Sequence, residues 1–364
     1  MHSSLTPNSD MKAAIKKIGF HLPERVLDNE QLAAAANNWS AEKILLKTGI
    51  SKRHVAGQDD CASDLAVAAV ADLFADGAAK PEDIDYLLLC TQSPDYFLPT
   101  TACLLQNRLG LPTACGALDF NLGCSGFVYG LGIAKGLIES DQARNVMLIT
   151  AETYSKFIHP SDRSVRTLFG DAAAATLVSG VESDVPLLGP FVYGTDGSGA
   201  ENLIVPTGGM RRPVVANPDV LEDKDGNKRT INNLFMNGPE IFKFTLQTVP
   251  RTVSELLTAS AKQPEEIDFY VFHQANQYML EHLRKKLSIP PEKFCISMRE
   301  CGNTVSSTIP LALHALSKEN KLQPGHLVML VGFGVGYSWG AALVRWVGGP
   351  PSCAASETNP PAFP

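Results

Sequence analysis

Residues 81–92 read PEDIDYLLLCTQ, and residues 264–275, which lie 183 positions later, read PEEIDFYVFHQA. A second pair supports this match, since VML occurs at 146–148 and again 182 positions later at 328–330. Short apolar runs recur in any α/β protein, so either pair alone is also compatible with unrelated buried strands. Because the turn residues before the first strand match as well, we interpret both pairs as the trace of an internal duplication.

Helix and strand patterns alternate through each copy. Residues 64–77 (DLAVAAVADLFADG) have the composition of an alanine-rich helix ended by glycine, and the apolar strand YLLLC follows. The predicted strands are continuously apolar, which is typical of a largely parallel sheet covered on both faces. The sequence therefore predicts an α/β protein with two layered halves, residues 11–185 and 186–347, joined near the connection SGVESDVPLLG.

Three further segments stand apart from this pattern. Residues 1–10 form an N-terminal extension, and residues 348–364 lack periodicity, which predicts a disordered tail. Residues 207–230 are polar and rich in turn formers, so we expect an exposed insertion in the second half.

The composition argues against several classes of protein. A net charge of −7 and a pI near 5.6 count against a nucleic-acid or anionic-membrane partner. No apolar run reaches the ~18 residues that cross a bilayer, and the N-terminus lacks the layout of a secretory signal, so we expect a cytoplasmic protein. Charged residues make up 19% of the chain, against roughly 25% in typical domains, which favours a large subunit interface. The eight cysteines lack C-x-x-C spacing, so neither a disulfide framework nor a zinc site is expected.

One cysteine lies in the segment NLGCSGF at 121–127, between the strand ALDF and a helical stretch. Cys124 is therefore predicted at a strand-to-helix turn, where unpaired N–H groups and the helix dipole would lower its pKa below the free value of roughly 8.5. Gly123 and Gly126 would let the backbone turn sharply and let a substrate approach the sulfur. The alternative is a buried structural cysteine, which is what most isolated cysteines are.

Two polar residues of the second half indicate related chemistry. His273, in HQAN, follows the strand IDFYVF and so emerges at the carboxyl end of that strand, where α/β folds place ligands. Asn303 lies in the glycine turn GNTVSSTIP, which leads into a helix. Either residue alone is also compatible with an ordinary loop position. The offset of 183 makes Ser307 the counterpart of Cys124, so we expect the two turns to meet, with the glycine-rich loop GFGVGYSWG at 332–340 beside them.

With these motifs in this order and spacing, the chain resembles the β-ketoacyl-acyl-carrier-protein synthase III family of the thiolase superfamily from about Met11 to Trp346. The resemblance implies the thiolase fold, a layered αβαβα arrangement of two pseudo-symmetric halves. It also implies the catalytic set Cys124, His273 and Asn303. This set differs from the Cys-His-His set of elongating synthases and from degradative thiolases, which use a second cysteine as base.

The resemblance further implies a ping-pong acyltransferase reaction. Cys124 takes an acyl group from acyl-CoA, while the N–H groups of Cys124 and Val335 stabilise the oxyanion. A malonyl thioester, carried by CoA or by acyl carrier protein, then loses carbon dioxide, and His273 and Asn303 stabilise its enolate. Condensation gives a 3-ketoacyl thioester, as in fatty-acid initiation or a specialised polyketide-type pathway. No metal or redox cofactor is implied, and the implied assembly is a homodimer.

At three positions the comparison with family residues concerns the substrate or the reaction type. Lys43 stands where the best-known family members have a tryptophan that stacks on the CoA adenine. Arg163 matches their nucleotide-contacting arginine, so the resemblance implies that CoA binds, though in a different way; ordinary surface charge is the alternative for both residues. Gln92 stands where hydroxymethylglutaryl-CoA synthases carry a glutamate base, which argues against their aldol reaction.

Other positions bear on partners. The resemblance implies a basic patch for docking acidic carrier protein, of which this chain keeps Arg284, Lys285 and Lys286, while Tyr278 replaces a nearby arginine. A solvated helix face is the alternative for the three basic residues. Leu98 matches an acyl-pocket residue that a dimer partner contributes in the family, where phenylalanine is common.

Two other functions stay open at this point. One is an acyltransferase of the same fold that moves an acyl group to an oxygen or nitrogen acceptor without condensation. The other is a non-catalytic partner subunit of a heterodimer. The intact set of Cys124, His273 and Asn303 counts against the second, because a scaffold has no physical need for all three.

Overall fold

The computed structural model describes residues 10–34 and 39–348. The helices are α1 (Asn29–Ala34), α2 (Ala41–Thr48), α3 (Ala62–Phe74), α4 (Thr101–Arg108), α5 (Gly126–Glu139), α6 (Arg163–Arg166), α7 (Gly238–Ser260), α8 (Gln277–Lys286) and α9 (Thr308–Lys318). The strands are β1 (Met11–His21), β2 (Val26–Asp28), β3 (Lys52–His54), β4 (Tyr86–Cys90), β5 (Gly116–Phe120), β6 (Asn145–Glu152), β7 (Ala172–Glu182), β8 (Leu188–Thr195), β9 (Leu203–Ile204), β10 (Leu221–Glu222), β11 (Lys228–Arg229), β12 (Phe235–Met236), β13 (Phe269–Phe272), β14 (Leu327–Gly334) and β15 (Ser338–Arg345). The predicted extension and tail lie outside the described residues, except for Asp10 and Gly348.

Each half of the chain contributes one main sheet. The N-terminal sheet has the order β1-β7-β6-β4-β5, and the C-terminal sheet has the corresponding order β8-β15-β14-β13. In the first sheet β4 is parallel to β5 and β6, and β7 is antiparallel to β6 and β1. In the second, β13 is parallel to β14, and β15 is antiparallel to β14 and β8. A bridge between Tyr270 and Phe294 takes the place of a strand corresponding to β5.

The helices form three layers around these sheets. α5 and α9 lie between them, since α5 contacts β1, β4, β6 and β7 of the first sheet and β8, β14 and β15 of the second. α3 and α4 cover the outer face of the N-terminal sheet, while α7 and α8 cover that of the C-terminal sheet. Fully apolar strands fit this arrangement because both faces of each sheet are buried. The predicted layered αβαβα fold of two duplicated halves is confirmed.

The offset between the halves changes along the chain. β4 and β13 begin 183 positions apart, whereas α5 and α9 begin 182 positions apart. Ser125 and Ser307 are the residues that precede the first turns of α5 and α9, with nearly the same backbone angles. Ser307 therefore corresponds to Ser125, and the counterpart of Cys124 is Ser306. The predicted pairing of Cys124 with Ser307 is wrong, because the offset shortens by one residue between strand and helix.

The predicted division between residues 185 and 186 falls between β7 and β8, and it stays a prediction. Residues 207–230 are mostly exposed and include the hairpin of β10 and β11, as expected of an insertion. Within residues 10–34 and 39–348, no helix is both long and apolar enough to cross a membrane. In the same ranges, no three His, Cys, Asp or Glu side chains lie together as metal ligands.

Candidate active site

Cys124 lies in the turn between β5 and α5 and is 5% exposed. Its glycine neighbours are needed for packing against the protein itself. A Cβ on Gly123 would lie 2.5 Å from Gln92 Oε1, and a Cβ on Gly126 would overlap Cys90 Sγ. The expectation that these glycines leave room for a substrate is wrong, because protein atoms fill the space beside them.

Two glycines of the other half of the chain let β14 approach the Cys124 turn closely. A Cβ on Gly334, the last residue of β14, would lie 2.8 Å from Cys124 Sγ, and a Cβ on Gly332 would lie 2.7 Å from the Cys124 carbonyl oxygen. The next residue, Val335, directs its backbone N–H towards the sulfur, as does the N–H of Cys124 itself. The structure thus brings together the two N–H groups predicted for the oxyanion hole.

The thiol of Cys124 has a raised pKa, of about 12. Burial is the larger cause, because it disfavours the thiolate, and the nearby carboxyl of Glu152 adds to it. The N–H groups of Val335 and Cys124 oppose this rise without cancelling it. The prediction of a lowered pKa is wrong, because it considered the helix N-terminus and left out desolvation. At neutral pH the residue is a thiol and needs a proton acceptor in order to react.

His273 follows the last residue of β13 and is almost fully buried. Its Nδ1 lies 2.8 Å from Thr308 Oγ1, at the start of α9. Burial lowers the pKa of His273 to about 3, so the imidazole is neutral at physiological pH. Because Nδ1 is occupied by Thr308, Nε2 is the ring nitrogen left to act on a substrate.

Asn303 is held by its backbone and by its side-chain oxygen. Its N–H donates to the carbonyl of Leu168 (2.9 Å), and its own carbonyl accepts from the N–H of Gly170 (3.0 Å). Its side-chain Oδ1 accepts from the N–H of Val305 at 3.0 Å. Val305 adopts a φ of 55°, which is costly for a β-branched residue and is stabilised here by full burial. Since Oδ1 is taken, the amide NH₂ of Asn303 is left to donate elsewhere.

These three side chains border one small cavity, which we call the Cys124 cavity. Its volume is about 130 Å³. Its walls are Cys124, Leu168, Phe169, Leu203, Met236, Gly238, Ile241, Phe242, His273, Ala275, Asn276, Met279, Asn303, Phe333 and Gly334. A larger cavity of about 400 Å³ lies near His314 and Trp346 and includes none of the predicted catalytic residues. The Cys124 cavity is therefore the candidate active site, a mostly apolar space with a thiol, a neutral imidazole and a primary amide on its walls.

Sequence reasoning missed Glu152, the last residue of β6. Its carboxyl group is fully buried and accepts hydrogen bonds from Ser306 Oγ (2.8 Å), the N–H of Gln92 (3.0 Å) and Ser93 Oγ (3.4 Å). Burial raises its pKa to about 8, although these donors oppose the rise. The available signal was an acid at the carboxyl end of the apolar run VMLITAE.

Gln92 is fixed on both sides of its amide. Its Nε2 donates to Asn121 Oδ1 at 3.0 Å, and its Oε1 accepts from the Tyr154 hydroxyl. The Gln92 side chain is therefore a neutral hydrogen-bonding group between the turn that carries Cys124 and Tyr154, which lies two residues after the end of β6.

Lys43 and Arg163, predicted to bind CoA, both lie near an aromatic ring that sequence reasoning missed. Lys43 Nζ is 5.9 Å and the Arg163 guanidinium carbon 6.0 Å from the centre of the Trp39 ring, and Lys47 Nζ is 5.0 Å from it. The available signal was a tryptophan one helical turn before Lys43 in NWSAEK. We call these four residues the Trp39 cluster.

The three basic residues of α8 differ in how far their charges are paired within the protein. Arg284 pairs with Glu281 at 2.8 Å and also donates to the carbonyl of Ile289, so its charge is largely balanced. Lys285 and Lys286 are exposed. Lys286 reaches the carbonyl of Leu246 at 2.7 Å.

Two further residues named from the sequence lie at the surface. Tyr278 is 57% exposed and stacks on Phe242, which borders the Cys124 cavity. Leu98 is 82% exposed and does not border this cavity in the single chain.

The sequence is similar to that of one known family of proteins. A family profile described as 3-oxoacyl-[acyl-carrier-protein (ACP)] synthase III matches residues 118–197, and a profile for the C terminal of the same synthase matches residues 257–346. Beta-ketoacyl-[acyl-carrier-protein] synthase III from Caldanaerobacter subterraneus subsp. tengcongensis is 37% identical over 334 residues, which cover 92% of this chain and 98% of the relative.

Solved structures of similar proteins have the same fold as this chain. A crystal structure of a 3-oxoacyl-(acyl-carrier-protein) synthase III superposes with a TM-score of 0.91 and 54% identity, covering 92% of this chain and all of the other (100%). The priming β-ketosynthase from the R1128 polyketide biosynthetic pathway superposes with a TM-score of 0.80 and 26% identity, covering 96% and 100%. The chain therefore belongs to the β-ketoacyl-acyl-carrier-protein synthase III family, whose members have the thiolase fold.

Proposed function

We propose that this chain catalyses an initiating decarboxylative condensation, in which an acyl group from acyl-CoA is joined to a malonyl thioester. The observation that carries this proposal is the convergence of Cys124, His273 and Asn303 on one buried cavity. The relatives are named for this synthase activity, and one structural neighbour is a priming enzyme of a polyketide pathway.

In the first half-reaction, Cys124 Sγ forms a bond to the acyl carbonyl carbon of acyl-CoA. Because its thiol is neutral, its proton passes to a base, for which Nε2 of neutral His273 is the candidate on the cavity wall. The N–H groups of Cys124 and Val335 stabilise the tetrahedral oxyanion. The carbon–sulfur bond to CoA then breaks, and the departing CoA thiolate takes the proton from His273.

In the second half-reaction, a malonyl thioester enters and its carboxylate leaves as carbon dioxide. The electron pair of the broken carbon–carbon bond moves into the thioester, whose oxygen accepts hydrogen bonds from Nε2–H of His273 and from the NH₂ of Asn303. A low-polarity cavity strengthens both bonds. The enolate carbon attacks the acyl carbonyl carbon, and the bond from that carbon to Cys124 Sγ breaks. Cys124 leaves as a thiolate and takes a proton from water, and a 3-ketoacyl thioester is released. No step requires a metal or a redox cofactor.

The Trp39 cluster supports CoA as the acyl donor. A half-buried aromatic ring with three cations beside it suits a nucleotide, since the ring offers a stacking face and the cations can pair with phosphates. Lys43 and Arg163 then contribute to CoA binding together with Trp39, which supplies the aromatic face that position 43 lacks.

For the malonyl carrier, the exposed ammonium groups of Lys285 and Lys286 support docking of an acidic protein. Arg284 contributes less charge to this surface because Glu281 pairs with it. Malonyl-CoA is the alternative extender.

We further propose a homodimer. Tyr96, Phe97 and Leu98 form an exposed apolar segment, and β5 is the edge strand of the N-terminal sheet. Exposed apolar side chains beside an open strand edge suit burial against a second copy. Leu98 would then reach the acyl pocket of the partner, as the family resemblance implies. The cytoplasmic location stays a prediction.

The test is to incubate the protein with a panel of acyl-CoAs and malonyl-CoA or malonyl-acyl carrier protein while following carbon dioxide release and the mass of the intact protein. We expect a Cys124 adduct and carbon dioxide release that depends on His273 and Asn303. An adduct that passes to an oxygen or nitrogen acceptor without carbon dioxide would instead show simple acyl transfer. A protein inert towards every thioester would contradict catalysis and favour the role of a partner subunit.

A further inference from the structure

The hydroxyl of Thr308 lies between two hydrogen-bond acceptors. Its Oγ1 is 2.8 Å from Nδ1 of His273 and 3.0 Å from the backbone carbonyl oxygen of Val305. All three groups are buried, so they are shielded from competing solvent. A threonine hydroxyl has a single proton, and therefore it can donate to one of the two acceptors at a time.

Each choice fixes a different tautomer of the neutral imidazole. If Thr308 donates to Nδ1, the ring proton lies on Nε2, and His273 presents a hydrogen-bond donor to the cavity. If Thr308 donates to Val305, its oxygen accepts from Nδ1–H, and His273 presents the bare lone pair of Nε2. The heavy atoms stay in place in both arrangements. In the change from the first-half to the second-half tautomer, Nε2 takes a proton from water that enters the cavity after CoA departs, Nδ1 gives its proton to water, and the Thr308 hydroxyl turns from Val305 to Nδ1.

The two half-reactions of the proposed function, on which this inference rests, need opposite tautomers. Acylation needs a lone pair at Nε2, because Cys124 is a neutral thiol that must lose its proton. Decarboxylation needs a proton at Nε2, because the developing enolate oxygen needs a donor.

We propose that Thr308 is a positioning residue that lets His273 switch tautomer, so that one imidazole accepts a proton during acylation and donates a hydrogen bond during decarboxylation. The corresponding position in the other half of the chain supports this role. Gly126 begins α5 as Thr308 begins α9, so a helix in this layer does not need a hydroxyl at its first residue.

Replacing Thr308 by valine removes the hydroxyl and keeps the side-chain shape. The His273 ring then keeps its hydrogen bond to the Val305 backbone, whose carbonyl can only accept a proton. Nδ1 is the ring nitrogen on this side, since Thr308 Oγ1 contacts both Nδ1 and that carbonyl. The variant is expected to hold His273 with its proton on Nδ1. In this variant Nε2 of His273 can no longer donate a hydrogen bond to the enolate, whereas its lone pair can still accept the proton of Cys124.

The experiment measures the two half-reactions separately in wild type, Thr308→Val and Thr308→Ser. Acylation is followed by rapid quench and intact mass with acyl-CoA, and decarboxylation by carbon dioxide release from malonyl-CoA on the pre-acylated enzyme. In Thr308→Val we expect decarboxylation to fall about 10- to 100-fold while acylation stays within about threefold of wild type. Thr308→Ser retains a hydroxyl and is expected to restore decarboxylation to within about threefold.

Nitrogen-15 NMR gives a readout that does not depend on turnover. Among the eight histidines of the chain, the His273 signals are assigned by their loss in His273→Gln. The spectra compare the two proteins after acylation of Cys124, when decarboxylation comes next. In this state we expect the His273 proton on Nε2 in wild type and on Nδ1 in Thr308→Val, so that the protonated and bare chemical shifts exchange between the two nitrogens.

Three results would overturn the switch. They are decarboxylation by Thr308→Val at the wild-type rate, an equal loss of both half-reactions that serine does not restore, or the same His273 tautomer in the acylated forms of wild type and Thr308→Val. Failure of the proposed function looks different, because the wild-type protein itself would then form no adduct and release no carbon dioxide.

Discussion

In the N-terminal half of this protein Cys124 lies just before α5, and in the C-terminal half Ser306 occupies the corresponding place before α9. The backbones agree closely, with φ and ψ of −87° and −12° at Ser125 and of −83° and −6° at Ser307. Each of the two turns also meets the end of the middle strand of the other half. Cys124 meets Gly334 at the end of β14, and Ser306 meets Glu152 at the end of β6.

Gly334 and Glu152 themselves correspond, because both are the last residue of a strand and they are 182 positions apart. Glycine leaves the space beside the sulfur open, and this space is part of the Cys124 cavity. Glutamate fills the matching space and accepts the Ser306 hydrogen bond. The duplicated scaffold thus provides the same turn twice, and the residue at the strand end determines which turn faces a cavity.

The largest expected effect follows from moving the thiol between the two turns. Cys124→Ser keeps a side chain of similar size but a poorer nucleophile, so we expect no acyl adduct and a loss of condensation of about 10³-fold or more. In the double variant Cys124→Ser with Ser306→Cys, the thiol faces Glu152 and not a cavity. We expect this variant to stay without an adduct in intact-mass measurements with acyl-CoA.

The control is Ser306→Cys alone, in which Cys124 should be acylated once and residue 306 not at all. Acylation of residue 306 in either variant would show that the two turns are equally accessible, which contradicts the comparison.

The second prediction concerns the glycine that keeps the sulfur accessible. Gly334→Ala would place a methyl group 2.8 Å from Cys124 Sγ, closer than van der Waals contact allows. We expect the acylation rate to fall about 100-fold, since displacements of about 1 Å at a reacting atom have effects of that size. The measurement is the single-turnover acylation rate, with thermal unfolding as a check that the fold is retained.

Gly197 offers a matched control, because a Cβ there would meet no atom within 4 Å. Gly197→Ala should acylate at the wild-type rate. Equal rates in the two alanine variants would show that Gly334 does not determine access to the sulfur.

The two sheets and the position of His273 could be predicted from the sequence, whereas the surroundings of Trp39 and Cys124 could not. The repeat PEDIDYLLLC and PEEIDFYVFH, with its apolar strands, predicts the two sheets and places His273 at a strand end, because local pattern and strand direction are enough for that. The position of Trp39 beside Arg163 depends on how distant segments pack, and no local pattern records it. The raised pKa of Cys124 has a similar origin, since desolvation arises from the whole surrounding fold, whereas the helix N-terminus is visible in the neighbouring residues.

Glu152 provides the third prediction. Its pKa is about 8 in the folded protein, above the 4.5 of an exposed glutamate, so the native state holds a proton that the unfolded state has lost between these values. Stability from this group is therefore fully present below the unfolded value and is lost as pH rises through the folded one. Glu152→Gln has no such charge, so we expect its thermal midpoint relative to wild type to increase from about pH 5 to about pH 9.

The same variant should change the reactivity of Cys124. Above the pKa of Glu152 the carboxylate opposes the thiolate, and its removal should speed alkylation of Cys124 by iodoacetamide about 3- to 10-fold at about pH 9. At about pH 6 the carboxyl is neutral, and the rates should agree. Cys103 is exposed and provides the internal control in peptide mass spectrometry. An increase that is equal at both pH values would show that charge is not the cause.

The smallest effect is expected at Ser306, the counterpart of the nucleophile. Ser306→Ala removes the 2.8 Å hydrogen bond to Glu152, which should lower the free energy of unfolding by about 1 kcal/mol at about pH 7, where the carboxyl is mostly neutral. The loss should grow to about 2 kcal/mol at about pH 9, because a hydrogen bond to a charged acceptor is stronger. Ser125→Ala is the matched control, since it removes a 2.8 Å bond to the uncharged Ser338 hydroxyl. Urea unfolding at both pH values separates the two, and a loss that depends equally on pH in both variants would contradict the role of Glu152 in the second turn.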